Sequence, residues 1–562
     1  MKIVKLLGSA LIFCLTATAL AQQAPANRSG KNEREDQLDP SPINPAIDPD
    51  INRFLGDWRS SKPRTLYGNL VFHDILTRLD SKDPIHPVKR GAVLSWDHAI
   101  SYVTLAPGGT ARGRVESGDQ QIFYTSGGTG KITVNGQAHE LKEGSGFVLF
   151  PEFSFEMTNA GKAPLEFYVR DEPIPPGRKP ASDITVMNRF DLDRRVGSHW
   201  VHTCTGGPPG MLLCTIPPHS IPQPHSHPIE EVWIMVKGES ILSLGKNLVR
   251  MHPGEAFEIP RTGLTAHSNL NMTDEPIQMI YMGPGDPKAG YSSVSDVRDY
   301  ASLDYSPITP AQEQPIDMFM GNWRDSFPRM EHGNLYFRDM LTAAEPGSDG
   351  LHPTRKGAVL TNARAVSYAM LEPGSTAHRI DSDPRDGQEV FVVNSGTGVI
   401  TAGSQKATLA KGMSFIITPG LDFRLTATGD KYMTFYVVSE KLPEGTTPKA
   451  TLEVVDNRSK PEITTNWVNQ ERRLITKIDG LTQYGAVTQV QLKPMAMSRP
   501  YSAPPGTEEI WIATDGDVDM LLGKQLRKLP AGTAYRVPPT GITAHANINV
   551  SDKPAQFLYM VK

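Results

Sequence analysis

Cysteine is nearly absent from this chain: three residues in 562. A disulfide-stapled scaffold is excluded, because so few bridges cannot replace a hydrophobic core. Charge of one sign is not in excess either, with 57 Lys and Arg against 61 Asp and Glu and a formal net charge of -4. No basic patch interleaved with aromatics occurs, so nucleic acid is not an expected partner. After the first two dozen residues no apolar run reaches the roughly 18 residues of a spanning helix. Long stretches without glycine or proline are scarce, since 49 Gly and 47 Pro make about one residue in six. That density suits short strands and many turns, and it argues against a mostly helical protein. Hydrophobic residues still reach 38%, enough for several packed domains.

The N-terminus carries Lys2 and Lys5, an apolar run, and then Ala19, Leu20 and Ala21 before Gln22. This reads as a secretory signal cut after Ala21, so the mature chain is expected to be periplasmic or secreted, with no membrane association once the signal is removed. Cys14 lies within that signal. Residues 22–45 are polar and proline-rich and read as a flexible leader. The two remaining cysteines, Cys204 and Cys214, suit facing positions on a hairpin, and whether they are bridged is a matter of geometry that stays open here.

An internal repeat organises the rest. GDWRSSKPRTLYGNLVFHDILT (Gly56–Thr77) returns as GNWRDSFPRMEHGNLYFRDMLT (Gly321–Thr342), a shift of 265 residues. Near the ends of the halves, GKNLVRMHPGEAFEIPRTGLTAHSNLN from Gly245 returns from Gly523, a shift of 278. Each copy divides again. EVWIMVKG, QIFYTSGGTGKITVNG, EVFVVNSGTGVITAG and EIWIATDGDVDMLLG each read as strand or strand–turn–strand, followed by a glycine turn and another apolar strand. Four such units predict an all-β protein of sandwiches or double-sheet jelly rolls. The stretch Val294–Tyr305 is the one place where a short helix is expected.

One cluster has metal-ligand spacing. His225, His227 and Glu231 form H-x-H-x3-E, share parity if the segment is extended, and are followed by His267 36 residues after Glu231. Three imidazoles and a carboxylate suit one borderline divalent transition metal: Fe, Mn, Cu, Ni, Co or Zn. Glu231 is either a ligand or a contact to bound substrate. Glu230 has the opposite parity and is expected to face away. Trp233 and Met235 share the parity of Glu231 and are the candidate walls of a substrate pocket, with Asn271 beside it or supporting local geometry. His219, six residues before His225, is placed at the rim as an acid–base candidate. Nothing in the sequence ties His199 or His202 to the cluster.

The segment resembles the signature of the cupin superfamily, G-x5-H-x-H-x3-4-E-x6-G followed by G-x5-P-x-G-x2-H-x3-N. His225, His227, Glu231 and Gly238 match the first motif; Gly254, Pro260, Gly263, His267 and Asn271 match the second. Residue 219 is His where the pattern has Gly, and the Pro260–Gly263 and Gly263–His267 spacings are each one residue longer. The resemblance implies four cupin-type barrels in two bicupin repeats: 46–175, 176–300, 301–445 and 446–562. It also implies a metal held by His225, His227, Glu231 and His267, in the second barrel.

The other units lack the full set. The first offers Arg112, Arg114, Gln121 and Phe155; the third His378 and Glu389 with Ile380 and Phe423; the fourth Glu509 and His545 with Ala503 and Pro505. Asp381, Asp383 and Asp386 form an acidic loop in the third, read as solvated. What the resemblance implies for function is a metal-dependent enzyme on a small organic substrate, foremost an oxidoreductase of the dioxygenase type. Two alternatives stand beside it: a non-enzymatic small-molecule or carbohydrate-binding cupin, and a metal-dependent isomerase or lyase. Homo-oligomerisation is left open.

Overall fold

A computed structural model describes residues 39–44, 47–174, 177, 183–192, 195–196, 200–208, 210–227, 229–283, 315–348, 351–380, 387–541 and 543–562. The expected signal with Cys14, the Val294–Tyr305 stretch, His199 and the acidic loop of Asp381, Asp383 and Asp386 lie outside them. No helix among the described residues is long and apolar enough to cross a membrane.

Local sequence explains the hairpins. Thr129–Val134 alternates exposed Thr129 and Lys131 with buried Ile132 and Val134, the period-two pattern of a strand with one wet face. The turn Asn135–Gly136, with φ of 51° and 82°, then returns the chain along Gln137–Lys142. Both residues sit in the left-handed region, as a two-residue hairpin demands, and Asn and Gly are the residues that tolerate it best. Other strands are buried on both faces. Ala358–Leu360 is one, and the first four residues of Val232–Lys237 are another. Such strands have a barrel core on one side and a neighbouring barrel on the other.

The described strands form eight sheets, a larger and a smaller one for each of four barrels, so the protein is all-β with cupin-type jelly rolls. Helical elements among the described residues are 3-10 turns of three or four residues. The large sheets of the first two barrels pack together, joining Ile75, Ile100 and Ile122 to Val232, Ile234 and Ile280 in one apolar cluster. The third and fourth barrels repeat this with Val366 and Val390 against Ile510 and Ile512. Between the halves, the small sheets of the second and fourth barrels meet through Ile241 and Leu270 on one side and Leu521, Ala546 and Ile548 on the other. The spatial order is therefore one, two, four, three.

Sheet boundaries do not follow the expected chain boundaries. Leu55–Asp57, assigned by sequence to the first barrel, pairs with Glu255–Glu258 at the edge of the second barrel's large sheet. Met187–Asn188, beyond the expected break at 175, pairs back onto Ser145 and Gly146 of the first. The same exchange occurs in the second half through Met320–Asn322 and Glu453–Asp456. Exchange covers sheet edges that would otherwise expose unpaired backbone. The leader differs from expectation too, because residues 39–44 are anchored. Lys246 Nζ donates to Asp39 Oδ2 (3.3 Å) and to the Pro42 carbonyl (3.1 Å), and the Trp467 indole donates to the Asp39 carbonyl.

A buried ionic network crosses the interface of the first pair. Arg170 Nε lies 3.0 Å from Asp97 and 3.1 Å from Glu172, and all three are at most 1% exposed. Glu258 enters from the second barrel beside Arg261 at 3.3 Å, its carboxyl pushed well above the usual range by burial and by Glu230. By strand register, Val438 replaces Arg170 in the second half and Arg536 replaces Glu258. The buried arginine has changed barrels while Glu172 and Glu440 persist. Arg170→Val should therefore cost roughly 3–5 kcal/mol by stranding Asp97 and Glu172, read as a lower midpoint of urea unfolding. Adding Glu258→Arg, which copies the second half, should recover part of that loss.

Candidate metal centre

The site lies where two extended segments of the second barrel run side by side. His225 sits opposite His267 in an isolated antiparallel bridge, with His267 N–H donating to the His225 carbonyl at 2.9 Å. Ser226 and Ser268 face the other way: their hydroxyls cap the carbonyls of Gly263 (2.8 Å) and Pro222 (2.7 Å) and lock this register. His267 opens the strand His267–Leu270, and Glu231 immediately precedes Val232–Lys237.

Side-chain hydrogen bonds orient the rings. His225 Nδ1 is 2.8 Å from the Gln223 carbonyl, and His227 Nδ1 is 3.2 Å from that of Ile229. A carbonyl only accepts, so each Nδ1 carries the proton and each Nε2 presents its lone pair. Ligand nitrogens of His225, His227 and His267 lie within 4.8 Å of one another. Glu231 closes the group, with Oε1 3.1 Å from His267 Nε2 and Oε2 3.0 Å from His227 Nε2. Its Oε1 also accepts from the Trp233 indole at 2.6 Å. Burial pushes the Glu231 carboxyl up, but the neighbouring imidazoles of His267 and His227 outweigh it and hold the group well below the usual range.

These residues fit a divalent cation. His227 Nε2 is buried and makes no hydrogen bond of ordinary geometry with any described residue, although Glu231 stands beside it. Buried imidazole nitrogens aimed at one point, with a carboxylate among them, are the donor set of a borderline transition metal.

Several expected site residues are placed elsewhere. His219 is a correction: it is exposed, at φ 48°, with Nε2 2.8 Å from Asp274, and it is not an acid–base group at the cluster. The chain turns at Pro217–Ser220, where the Ser220 hydroxyl donates to the Pro217 carbonyl, so counting parity back from His225 as if extended fails. Asn271 takes the second of its two expected roles, local support, and not a place in the pocket. Fully buried, its Nδ2 donates to the carbonyls of Ile216, Pro217 and Glu275, so it clamps loops instead of lining a pocket. Asn549 makes the equivalent clamp in the fourth barrel. Met235 is fully buried, two residues beyond Trp233 on the same strand and farther from Glu231, with its Sδ accepting from the Ser240 hydroxyl at 3.5 Å. Glu230 faces away and accepts from the Ser95 amide of the first barrel at 2.9 Å.

Two further features come from the neighbouring strands. Cys204 and Cys214 are directly paired in register, with Cα atoms 4.1 Å apart, and they are bridged. His202, two residues before Cys204, packs edge-on to Trp233 at 6.3 Å, and burial pushes its pKa down to about 4. No motif marks His202; its shared parity with Cys204 is the signal that could have found it.

In the first and fourth barrels the equivalent position is satisfied by the protein itself. Glu509 of the fourth accepts on Oε1 from Tyr501 (2.5 Å) and Trp511 (2.8 Å), with His545 Nε2 at 2.9 Å. The Tyr501 ring lies 4.1 Å from that of His545 and occupies the space a cation would need. Gln121 of the first accepts from the Tyr67 hydroxyl at 3.0 Å, while Arg112 is exposed on Glu156. In the third, His378 faces solvent and Glu389 is instead met by His332.

A cupin-domain family model matches residues 101–170, 212–283 and 367–439. Among solved structures, a single-residue variant of oxalate decarboxylase from Bacillus subtilis is similar at 15% identity and a TM-score of 0.34, over 43% of this chain and 77% of that one. A structure concerned with the Mn(II) centres of the same B. subtilis enzyme is similar at 15% identity and a TM-score of 0.33, over 43% and 77%. Protein Ylba from E. coli aligns at 15% identity and a TM-score of 0.34, over 48% of this chain and all of that one. No curated protein matches the chain.

His227→Ala should remove most of the metal bound in the second barrel, whereas His545→Ala should leave total metal unchanged. Plasma mass spectrometry of the purified full-length variants checks both outcomes.

Proposed function

The chain is a multi-cupin protein of the cupin superfamily, and from that premise we propose that it is a metal-dependent enzyme acting on a small organic substrate. The observation that carries this reading is the convergence of His225, His227, His267 and Glu231 on one point. The specific reaction proposed is an oxidation of the dioxygenase type. A divalent cation held there supplies Lewis acidity and, if it is iron, manganese or copper, electron exchange with dioxygen.

The protein's own groups do the positioning. Trp233 holds Glu231 Oε1 through its indole N–H, so the carboxylate cannot rotate away from the histidines. Glu231 remains ionised at physiological pH, as its depressed pKa requires, and it either ligates the cation or accepts a proton-bearing group of the substrate. His202 remains neutral there, so the wall behind Trp233 adds an uncharged imidazole and the site's negative charge comes from Glu231. His227 is the most exposed of the three rings, which puts the approach for substrate on its side. Placement in the periplasm or outside the cell is part of the proposal, and it is supported by the Cys204–Cys214 bridge, which persists in oxidising compartments.

Chelator-stripped protein reloaded with Fe2+ or Mn2+ should consume oxygen with a member of an enol, catechol and small-acid panel, and His227→Ala should not. Turnover without oxygen uptake would replace the dioxygenase reading with an isomerase, lyase or decarboxylase. Tight ligand binding without turnover would leave a binding protein. Trp233→Phe should lower activity or metal affinity roughly 10- to 100-fold, the usual effect of freeing a ligand's partner.

A further inference from the structure

The third barrel contains a second convergence of donors, built in a different way. The three-residue turn His332–Asn334, in which His332 and Gly333 have φ of 52° and 77°, joins the strands Pro328–Glu331 and Leu335–Ala343. The His332 ring points inward from this turn, against Phe423 at 5.2 Å, with Nε2 2.6 Å from Glu389 Oε2. Glu331, the residue before the turn, brings a second carboxylate to the same point. Ligand atoms of Glu331, His332 and Glu389 all lie within 4.8 Å of one another. His332 and Glu389 are buried, and Glu331 Oε2 is a buried oxygen with no hydrogen bond of ordinary geometry to a described residue, although the Glu389 carboxylate stands beside it.

The first barrel is an internal control. Its turn Tyr67–Gly68 has the same conformation, at 54° and 86°, and sends Tyr67 to Gln121. At the 265-residue shift, Leu66 stands where the third barrel has Glu331, and Tyr67 where it has His332; by strand register Gln121 occupies the place of Glu389. Leucine, tyrosine and glutamine in the first barrel are therefore two carboxylates and an imidazole in the third, on a turn of matching conformation. The Arg–Asp pair beneath them is the same in both: Arg64 on Asp74, and Arg329 on Asp339 at 3.0 Å from both Nε and Nη2. Arg329 also touches Glu331 but keeps Asp339 if Glu331 turns inward. Arg364 stands 3.7 Å from Glu389, too far to saturate it.

We propose that Glu331, His332 and Glu389 form a second divalent-cation site, in the third barrel, that takes a hard or borderline ion such as Mn2+. Two carboxylates and one imidazole favour such an ion over a softer one. The site owes nothing to the H-x-H motif: one ligand comes from the barrel strand Gly387–Ser395, and the other two come from a hairpin strand end and its turn. It is independent of the second-barrel centre, which shares none of these residues.

The test is Mn2+ titration of stripped full-length protein, with free Mn2+ read by its paramagnetic resonance signal. Glu389→Gln and Glu331→Leu copy the first barrel's own residues and are expected to fold, which circular dichroism checks. His227→Ala should retain one bound ion per chain. Combining it with either third-barrel substitution should abolish binding, and His332→Gln should do the same. Retention of that ion by all three combined variants would overturn the proposal, as would a His227→Ala chain that binds none.

Discussion

A polar group placed inside an apolar barrel has to be compensated, and this constraint shapes all four barrels. The same strand position holds Gln121, Glu231, Glu389 and Glu509, each at most 5% exposed. Leaving such a group alone in low dielectric is costly, so each barrel recruits partners. The first uses a tyrosine hydroxyl, the fourth a tyrosine, an indole and an imidazole. The second surrounds its carboxylate with histidines, one of whose nitrogens is left without a hydrogen bond. In the third, a hairpin turn supplies the imidazole and a further carboxylate. Two barrels have thus met one requirement with hydroxyl, indole or imidazole partners at a closed position, and two with clusters whose donor atoms would suit a cation.

The packing between barrels bears directly on the site. Glu230 and Glu231 are adjacent, yet one reaches the first barrel and the other the histidines. The segment that carries Glu231 is consequently anchored in a neighbouring core, where the Ser95 amide donates to the adjacent Glu230 and the Arg170 network lies close by. On the opposite side the small sheet bearing His267 is covered by the fourth barrel through Leu270 and its neighbours. The second barrel is clamped from both flanks, which limits how far its ligands can drift. Exchange of Leu55–Asp57 into its large sheet adds a covalent tie to the first barrel.

Much of this was legible in sequence where the information is local. Repeats at 265 and 278 residues, strand alternation and glycine turns define the number and kind of units, because period-two burial is written residue by residue. The H-x-H-x3-E spacing names donors that do converge: His225 and His227 lie along an extended segment, and Glu231 joins them at the start of the next strand, after a bend at Ile229. Where the chain stops being extended the same argument fails, and His219 is the example: the Pro217–Ser220 turn carries it to Asp274. His332 was invisible for a related reason. Its approach to Glu389 depends on a turn conformation and on a contact across 57 residues, neither of which has a spacing signature.

Sequence alone, then, determined the all-β class, the fourfold repetition and the donor set around residue 231, since each rests on short-range periodicity. Tertiary structure decided what distant chain segments do to one another. It bridged Cys204 to Cys214 by register, set His202 behind Trp233, and exchanged edge strands between barrels. It also decided that Tyr501 fills the fourth barrel's site while His332 and Glu331 complete a cluster in the third. The physical reason is common to these cases: burial makes partners obligatory, but which partner arrives depends on how the chain folds back on itself.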